Sequence, residues 1–395
     1  MRIRAILGLV VLMAGCGDSV SDDPVLETKG LTPFEQEMAI IAGVSGADIR
    51  AQMTILADDA MAGREAGTIA YDQAAAHVSR QFSAIGLEPF GEAGTYFQNI
   101  QFFETRLIPD SASLTLQAEG MTPLELRFAE DFIRSGGYGE AVETITAPLV
   151  FVGHGITAPE YNHDDYADVD VRGKILVMLS GAPPQFSTDQ RAYYSSGRTK
   201  ALLAQQHGAS GIISLRTPVD QARRPWEQYL PGIGRPGLRW INADGEPHEA
   251  YPDFRGSAVL SESGASTLFT FAGVNLEEIF GHHAAGGTGS FDLSVDATLS
   301  RTSTQAVASS ANVIGVIRGS DPVLKDEYVI YTAHLDHIGV RSIGAQDEIH
   351  NGAYDNAAGI GVILEVAQAL QRLPLRRSVI FAAVTAEEKG LQGSS

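Results

Sequence analysis

The chain has 395 residues, 44% of them hydrophobic, so it is long enough to bury a large core and to form two or three domains. Its 28 basic and 48 acidic residues give a formal charge of −20, which argues against nucleic acid or anionic membrane surfaces as partners, since both select basic patches. Cys16 is the single cysteine, which excludes an internal disulfide.

The N-terminus has the features of an export signal. Arg2 and Arg4 precede an apolar run over 5–14 that is too short to span a bilayer. With Cys16 at its end, this segment resembles a bacterial lipoprotein signal, which implies a lipid on Cys16 and a place at the cell envelope, facing the periplasm or in the outer membrane. A plain secretory signal that is cut elsewhere is the alternative. The following range, 17–45, begins acidic and is predicted to be a flexible tether.

Two helices are predicted after the tether. The first begins at a capping box that starts with Ser45, and the second covers 71–85 with apolar residues on one face. Between them Asp58, Asp59 and Arg64 are candidates to line a cleft, although charged loop residues are more often only solvated.

The pattern changes over 144–300 to short apolar segments separated by Gly and Pro. Strands are predicted at 149–152, 174–179 and 211–215, with a helix over 199–207. The region is therefore predicted to be β-rich.

Two stretches of this region, 151–160 and 168–174, resemble the protease-associated domain that is inserted in many peptidases. The resemblance implies a cover over an active site that restricts substrate size. A domain that only stabilises its host is the alternative, because fold alone does not establish function.

The C-terminal part reads as a strand, a helix and a strand. The segments 327–333 and Ser378–Val384 are apolar or β-branched, and 357–373 has apolar residues at helical spacing. In open sheets of this kind ligands bind beyond the carboxyl ends of the strands, where His334 and Glu387-Glu388 follow.

These residue types fit a two-zinc hydrolase. His334 would bind one ion, and Asp336, two residues on and pointing to the same side, would accept the other ring N–H of His334. Asp355 would bridge two ions, Glu388 would bind the second, and Glu387 would act as the general base.

Each residue also has an ordinary interpretation. A lone His334 suits a polar loop, Glu387-Glu388 suits a solvated loop, and Asp355 suits a helix N-cap. Their occurrence together, in order and at strand ends, favours the metal site.

The three motifs together resemble the co-catalytic zinc aminopeptidases of metallopeptidase family 28. The resemblance rests on segments 331–339, 351–359 and 385–394. It implies that His334 and Asp355 hold one zinc, that Asp355 and Glu388 hold the other, and that Glu387 is the base with Asp336 supporting His334. It also implies an Asp355-Asn356 peptide bond that is often cis.

The chain departs from the family in one respect. Family members carry a further acidic ligand and a further His downstream of the Glu-Glu motif, and the sequence to Ser395 has neither. His337 and His350 are the nearby substitutes, although such histidines more often lie behind a site. His282 and His283 are expected in a surface loop. If the peptidase domain is incomplete, Ser378–Val384 is expected to be an exposed edge strand.

The sequence thus predicts an α/β fold with a doubly wound mixed sheet, like that of zinc exopeptidases, incomplete at its C-terminus and carrying an inserted β-rich protease-associated domain. The predicted divisions are 1–16 signal, 17–45 tether, 46–143 first part of the peptidase domain, 144–300 inserted domain and 301–395 second part of the peptidase domain.

The predicted function is that of a zinc aminopeptidase that cleaves N-terminal residues from peptides by means of a metal-activated water. A non-catalytic binding protein with half a metal site, or a single-zinc acyltransferase like the glutaminyl cyclases, are the alternatives. The oligomeric state is not determined by the sequence.

Overall fold

The computed structural model describes residues 32–251, 253–341 and 347–395. The chain divides into two compact units, Met1–Val44 and Ser45–Ser395. In the first unit, helix α1 (Pro33–Ala42) begins at Thr32, whose side chain forms a capping box with Glu35. The predicted signal, Cys16 and positions 17–31 of the predicted tether lie outside the described residues, and α1 occupies residues 33–42 of that tether range.

The second unit contains both helices and strands. The helices are α2 (Gly46–Leu56), α3 (Ile69–Ile85), α4 (Thr188–Tyr194), α5 (Gly197–Gln206), α6 (Pro218–Arg223), α7 (Glu262–Phe271), α8 (Leu276–Ala284) and α9 (Ala358–Leu370). None of the described helices is both long and apolar enough to cross a membrane.

The strands are β1 (Glu88–Pro89), β2 (Phe97–Leu107), β3 (Ser113–Gln117), β4 (Leu124–Leu126), β5 (Phe132–Ile133), β6 (Val142–Val152), β7 (Thr157–Ala158), β8 (His163–Asp164), β9 (Ile175–Leu179), β10 (Gly211–Leu215), β11 (Gly237–Trp240), β12 (Ala258–Leu260), β13 (Ser290–Ile317), β14 (Tyr328–His334) and β15 (Ser378–Val384). The bounds of β10 and β15 coincide with the predicted strands.

Strand β13 connects the two halves of the sheet. Over its 28 residues it pairs first with β6 and β3, and then with β2 and β15, in each case antiparallel. The predicted domain borders after residues 143 and 300 fall inside β6 and β13. The two predicted domains therefore share hydrogen-bonded strands.

The half of the sheet that carries the predicted motifs runs in the order β11, β2, β13, β15, β14. β15 is hydrogen-bonded on both sides, antiparallel to β13 and parallel to β14. The expectation that Ser378–Val384 is an exposed edge is therefore wrong. At this end of the described sheet the exposed edge strand is β14, and its residues from Tyr328 to Tyr331 are 38% to 60% exposed.

Helices α2, α3 and α9 cover one face of this part of the sheet. Their buried residues form a single hydrophobic cluster with alternate residues of β15, Val379, Phe381 and Ala383, and with Ala333 at the end of β14. The alternation follows from the two-residue period of a strand. The mixed α/β fold of the prediction is confirmed, and this packing fixes the strand ends where the motifs lie.

The other half of the sheet has β6, β9, β10 and β12 parallel, with an apolar cluster on each face. His282 and His283 were expected in a surface loop, which is wrong. Both lie in the last turn of α8, and His283 is buried.

Helix α5 is anchored by a buried lysine. The Lys200 ammonium group donates hydrogen bonds to the carbonyl oxygens of His154 (2.5 Å) and Leu179 (3.0 Å). Burial lowers the pKa of Lys200 to about 7, because the charged form loses its hydration.

This lysine makes stability depend on pH. Between pH 7 and pH 10.5 the unfolded chain holds the Lys200 proton while the folded chain releases it, so raising the pH favours folding. Lys200→Met removes this dependence. As the pH rises through this window, we expect the unfolding free energy of the parent to increase relative to that of the variant by up to ~1.4 kcal/mol for each pH unit. Urea unfolding at pH 7, 8 and 9 measures it, with exposed Lys325→Met as control. Parallel stability curves for parent and Lys200→Met would contradict the expectation.

Candidate metal centre

The predicted motifs meet at one end of the β14–β15 pair. The two strands are parallel and in register, with His334 opposite Val384, so the residues that follow them leave the sheet side by side. The N–H of Leu335 donates to the carbonyl of Val384 at 2.8 Å, which continues the pairing by one step. Parallel pairing thus places Asp336 and Glu387-Glu388 next to each other although 51 positions separate them along the chain.

His334 is held in a defined orientation. Its Nδ1 lies 3.1 Å from the carbonyl oxygen of Asp336, to which Nδ1–H is suited to donate. With that proton on Nδ1, Nε2 carries a lone pair, and it lies 3.0 Å from Asp355 Oδ1 and 4.0 Å from Glu387 Oε2. His334 therefore presents a metal-binding nitrogen to two carboxylates.

A second group surrounds the same aspartate. Ligand atoms of His337, Asp355 and Glu388 all lie within 4.8 Å of one another, and His337 Nδ1 is 2.6 Å from Glu388 Oε1. The hydrogen bond from His337 lowers the pKa of Glu388, so the carboxylate is favoured. His337, which the sequence offered only as an unfavoured substitute, is thus part of the group, and Asp355 is shared between His334 and the His337–Glu388 pair.

Asp336 differs from the expectation in how it acts. Its carboxylate is fully buried and accepts the backbone N–H groups of Glu387 (3.0 Å) and Glu388 (3.2 Å), while it lies 3.9 Å from His334 Nδ1. Burial raises the pKa of Asp336 to about 6, against the opposing effect of these two donors. The carboxylate thus holds the Glu-Glu turn, whereas the carbonyl of the same residue orients His334.

Asp355 lies in an irregular turn between Gly352 and helix α9. The Asp355-Asn356 peptide bond is cis, as the resemblance implied, and Asn356 Oδ1 accepts the N–H of Gly359 at 3.0 Å. The Asp355 side chain remains 66% exposed at the centre of the group. The Asp355 carboxylate is therefore open to solvent although His334, His337 and Glu388 lie beside it.

Arg64 organises the loops that carry these residues. Its guanidinium is fully buried and donates to the carbonyls of Leu335 (2.9 Å), Asn351 (2.7 Å) and Gly352 (3.1 Å), and also to that of Leu56. Burial lowers the pKa of Arg64 to about 10. The sequence offered this arginine as a candidate to line a cleft, with a solvated loop position as the alternative; it is instead buried and connects three segments.

Backbone contacts beside Arg64 require a glycine. Gly63 has φ +67°, and a Cβ there would lie 2.6 Å from the carbonyl oxygen of His350 and 2.7 Å from that of Gly339. The nearby Asp59, predicted as a possible cleft residue, accepts a hydrogen bond from Asn351 Nδ2 at 2.7 Å. Asp58 instead caps its own turn by accepting the N–H of Ala60.

The assembled group has the composition of a site for a borderline-soft divalent cation. Two imidazoles and the Glu388 carboxylate surround the shared Asp355 carboxylate, with Glu387 beside His334. Nitrogen and carboxylate oxygen are donors that zinc accepts in hydrolytic sites.

Comparison with known proteins agrees with this composition. Residues 312–395, which hold all of the site residues except Arg64, match peptidase family M28. These residues, called the M28 segment below, are similar to that family. Aminopeptidase NAALADL1 from Rattus norvegicus is 34% identical over 352 residues, covering 78% of this chain and 41% of that protein. Aminopeptidase YwaD from Bacillus subtilis is 36% identical over 87 residues, or 22% of this chain and 17% of that protein.

Among solved structures, an aminopeptidase from Aneurinibacillus sp. strain AM-1 aligns with 91% of this chain and 66% of its own, at 21% identity and a TM-score of 0.49. The zinc aminopeptidase BSAP from Bacillus subtilis aligns with 89% of this chain and 64% of its own, at 21% identity and a TM-score of 0.38. The chain therefore spans about two fifths of the length of its rat relative and about two thirds of these structures. The candidate site is therefore interpreted from the chain's own residues.

Proposed function

We propose that this chain is the metal-binding part of a zinc-dependent aminopeptidase, which removes N-terminal residues from peptides. One observation carries the proposal: the M28 segment gathers two histidines, two glutamates and a shared aspartate at the ends of two parallel strands. The two relatives described above are both named aminopeptidases, which favours the amino end of the substrate.

The residues fit two zinc ions. Asp355 is shared, His334 lies on one side of it, and His337 with Glu388 lies on the other. The second side alone offers three protein ligands, the number that catalytic zinc sites use. Zinc bound there would act as a Lewis acid and would lower the pKa of a coordinated water.

The chain's own residues supply the proton transfer. Glu387 is held by the backbone contact to Asp336, is about one third exposed, and has Oε2 4.0 Å from His334 Nε2. From this position its carboxylate can accept a proton from a water beside the metal group and return it to the amine that leaves the cleaved bond. Asp336 holds the turn on which Glu387 stands, so we assign it a positioning role.

Zinc content tests the proposal against its alternatives. The purified chain is freed of metal by chelation, dialysed against zinc, and analysed by mass spectrometry together with hydrolysis of an aminoacyl p-nitroanilide. Two ions per chain with hydrolysis are expected. One ion with acyl transfer would favour the glutaminyl-cyclase-like alternative, and zinc-free protein without hydrolysis would favour a binding protein.

His337 should be required for one of the two ions. The change His337→Ala removes a nitrogen from the group with Asp355 and Glu388, leaving that side two ligands. We expect zinc stoichiometry to fall from two to one, measured by mass spectrometry after dialysis. The matched control is His350→Ala, because His350 is exposed and its ring centroid lies 6.4 Å from that of His337. If His337→Ala and His350→Ala both keep two ions, the assignment is wrong.

We further propose that the protein is exported and anchored to the cell envelope through a lipid on Cys16. We also propose that the 144–300 region acts as a protease-associated cover. The support is the Arg-flanked apolar run before Cys16 and the likeness of 151–160 to that domain. Radiolabelled palmitate should enter the parent and not Cys16→Ser. Equal labelling of the two proteins would exclude the anchor.

A further inference from the structure

A large cleft adjoins the metal centre. It has a volume of about 810 Å³, within the range of small-ligand sites, and one wall consists of residues 389–392. Lys389, the first residue of this wall, directly follows Glu388 in the chain. The Cα atoms of these two residues are therefore about 3.8 Å apart. The remaining walls come from the 133–138 segment, α5 and β11, among others.

The walls of this cleft are strongly basic, in contrast to the chain as a whole. Six basic side chains line it, and Glu249 is the single carboxylate among the lining residues. Three of the basic groups are neutralised by nearby carboxylates: Arg198 by Glu249, Arg301 by Glu143, and Lys389 by Glu65, each at 2.7 Å.

The other three, Arg134, Arg224 and Arg239, have no carboxylate within 4.0 Å among the described residues. The cleft therefore carries three uncompensated positive charges in a protein of formal charge −20.

These uncompensated guanidinium groups are held in place. Arg134 is 94% buried; its Nη1 and Nη2 donate to the carbonyls of Ser300 and Arg255, and its Nε has no protein partner among the described residues. Arg224 lies over the ring of Tyr229 at 4.2 Å, and Arg239 lies over that of Tyr138 at 5.1 Å. Stacked guanidinium groups are pre-oriented to bind planar anions through paired hydrogen bonds.

We propose that this cleft binds a carboxylate of the peptide substrate, on the far side of the cleaved bond from the N-terminus. The inference rests on the proposed function, because the metal centre has to fix the N-terminal end of the peptide for the rest to reach the cleft. The carboxylate comes from one of two sources, the C-terminus of a short peptide or an acidic side chain after the cleaved bond. With either source, the cleft would favour negatively charged peptides although the protein as a whole is acidic.

Four probes separate the two sources. Ala-Gly and its C-terminal amide differ in the terminal carboxylate, whereas Ala-Glu-amide and Ala-Gln-amide differ in the side-chain carboxylate alone. Binding to the full zinc-loaded Glu387→Gln chain is measured by calorimetry at low ionic strength, because this change slows hydrolysis while zinc stays bound, and because salt screens the attraction. In one of the two pairs, we expect the probe with the carboxylate to bind at least roughly tenfold more tightly than its amide. A difference of this size is typical of a charge-assisted hydrogen bond.

Variants assign this preference to the cleft. Arg224→Gln and Arg239→Gln should each reduce it, whereas Arg318→Gln should not, because Arg318 also lies over an aromatic ring, that of Phe90 at 5.1 Å, but does not line the cleft. Circular dichroism confirms that each variant is folded. Equal binding of carboxylate and amide, binding of no probe, or a preference that survives both substitutions would overturn the proposal. Failure of the proposed function would show instead as absent zinc, which is measured independently.

Discussion

Replacing Glu387 with Gln should lower kcat by roughly 10²–10⁴-fold while both zinc ions remain bound. Glutamine has the shape of glutamate but cannot accept a proton, so the proton transfer from water to the leaving amine is lost. Zinc should stay because Glu387 is outside the His337–Asp355–Glu388 group. Steady-state hydrolysis of an aminoacyl p-nitroanilide measures kcat, and mass spectrometry measures zinc in the same preparation.

A neighbouring exposed glutamate provides the control for this experiment. Glu348 lies in the loop before His350 with its side chain in solvent, so Glu348→Gln changes the same charge near the site without touching it. Its kcat should equal that of the parent. If Glu387→Gln keeps the parent kcat, Glu387 is not the base, and if it loses zinc along with activity, it is a ligand instead.

The strands and helices near the site could be predicted because their signals are local. Ser378–Val384 is continuously apolar and is buried between two strands, so β15 has the predicted bounds. The helix after Asp355 is shorter than the predicted 357–373 and ends at Leu370, since a helical period does not specify where the last turn stops.

Strand order could not be predicted from the same signals. An apolar run is equally suited to a central strand and to a covered edge, and the choice of β13 as the second neighbour of β15 depends on a partner more than 60 residues away. Because β15 pairs with β13 on one side and β14 on the other, β14 is the exposed edge strand, and its Tyr328 and Ile330 face solvent. The sequence pattern alone contains no information about this pairing.

Two parts of the site were missed for related reasons. His337 was not favoured as a ligand because histidines near a metal site more often lie behind it. The chain turns after β14, and this turn brings His337 to Glu388. The role of Arg64 was not predicted because three of its four partners are backbone carbonyls 271 to 288 positions away, which have no side-chain signature in the sequence.

Replacing Arg64 with Met should cost about 3 kcal/mol or more of unfolding free energy and should abolish high-affinity zinc binding. Methionine fills similar space but leaves the carbonyls of Leu335, Asn351 and Gly352 without their donor. Each buried acceptor left unpaired costs about 1–3 kcal/mol, and the costs are not strictly additive. Urea unfolding followed by circular dichroism gives the stability, and calorimetric zinc titration of the folded fraction gives the affinity.

The control for Arg64 is Arg106, whose side chain is 49% exposed and makes an ion pair with Glu104 on the same strand. Arg106→Met should change stability by no more than about 0.5 kcal/mol, as surface substitutions usually do. Stability near the parent value in Arg64→Met would show that water replaces the guanidinium, contrary to its complete burial. A stability loss with unchanged zinc affinity would limit Arg64 to folding, whereas loss of both follows from its position between the loops that hold His334 and Asp355.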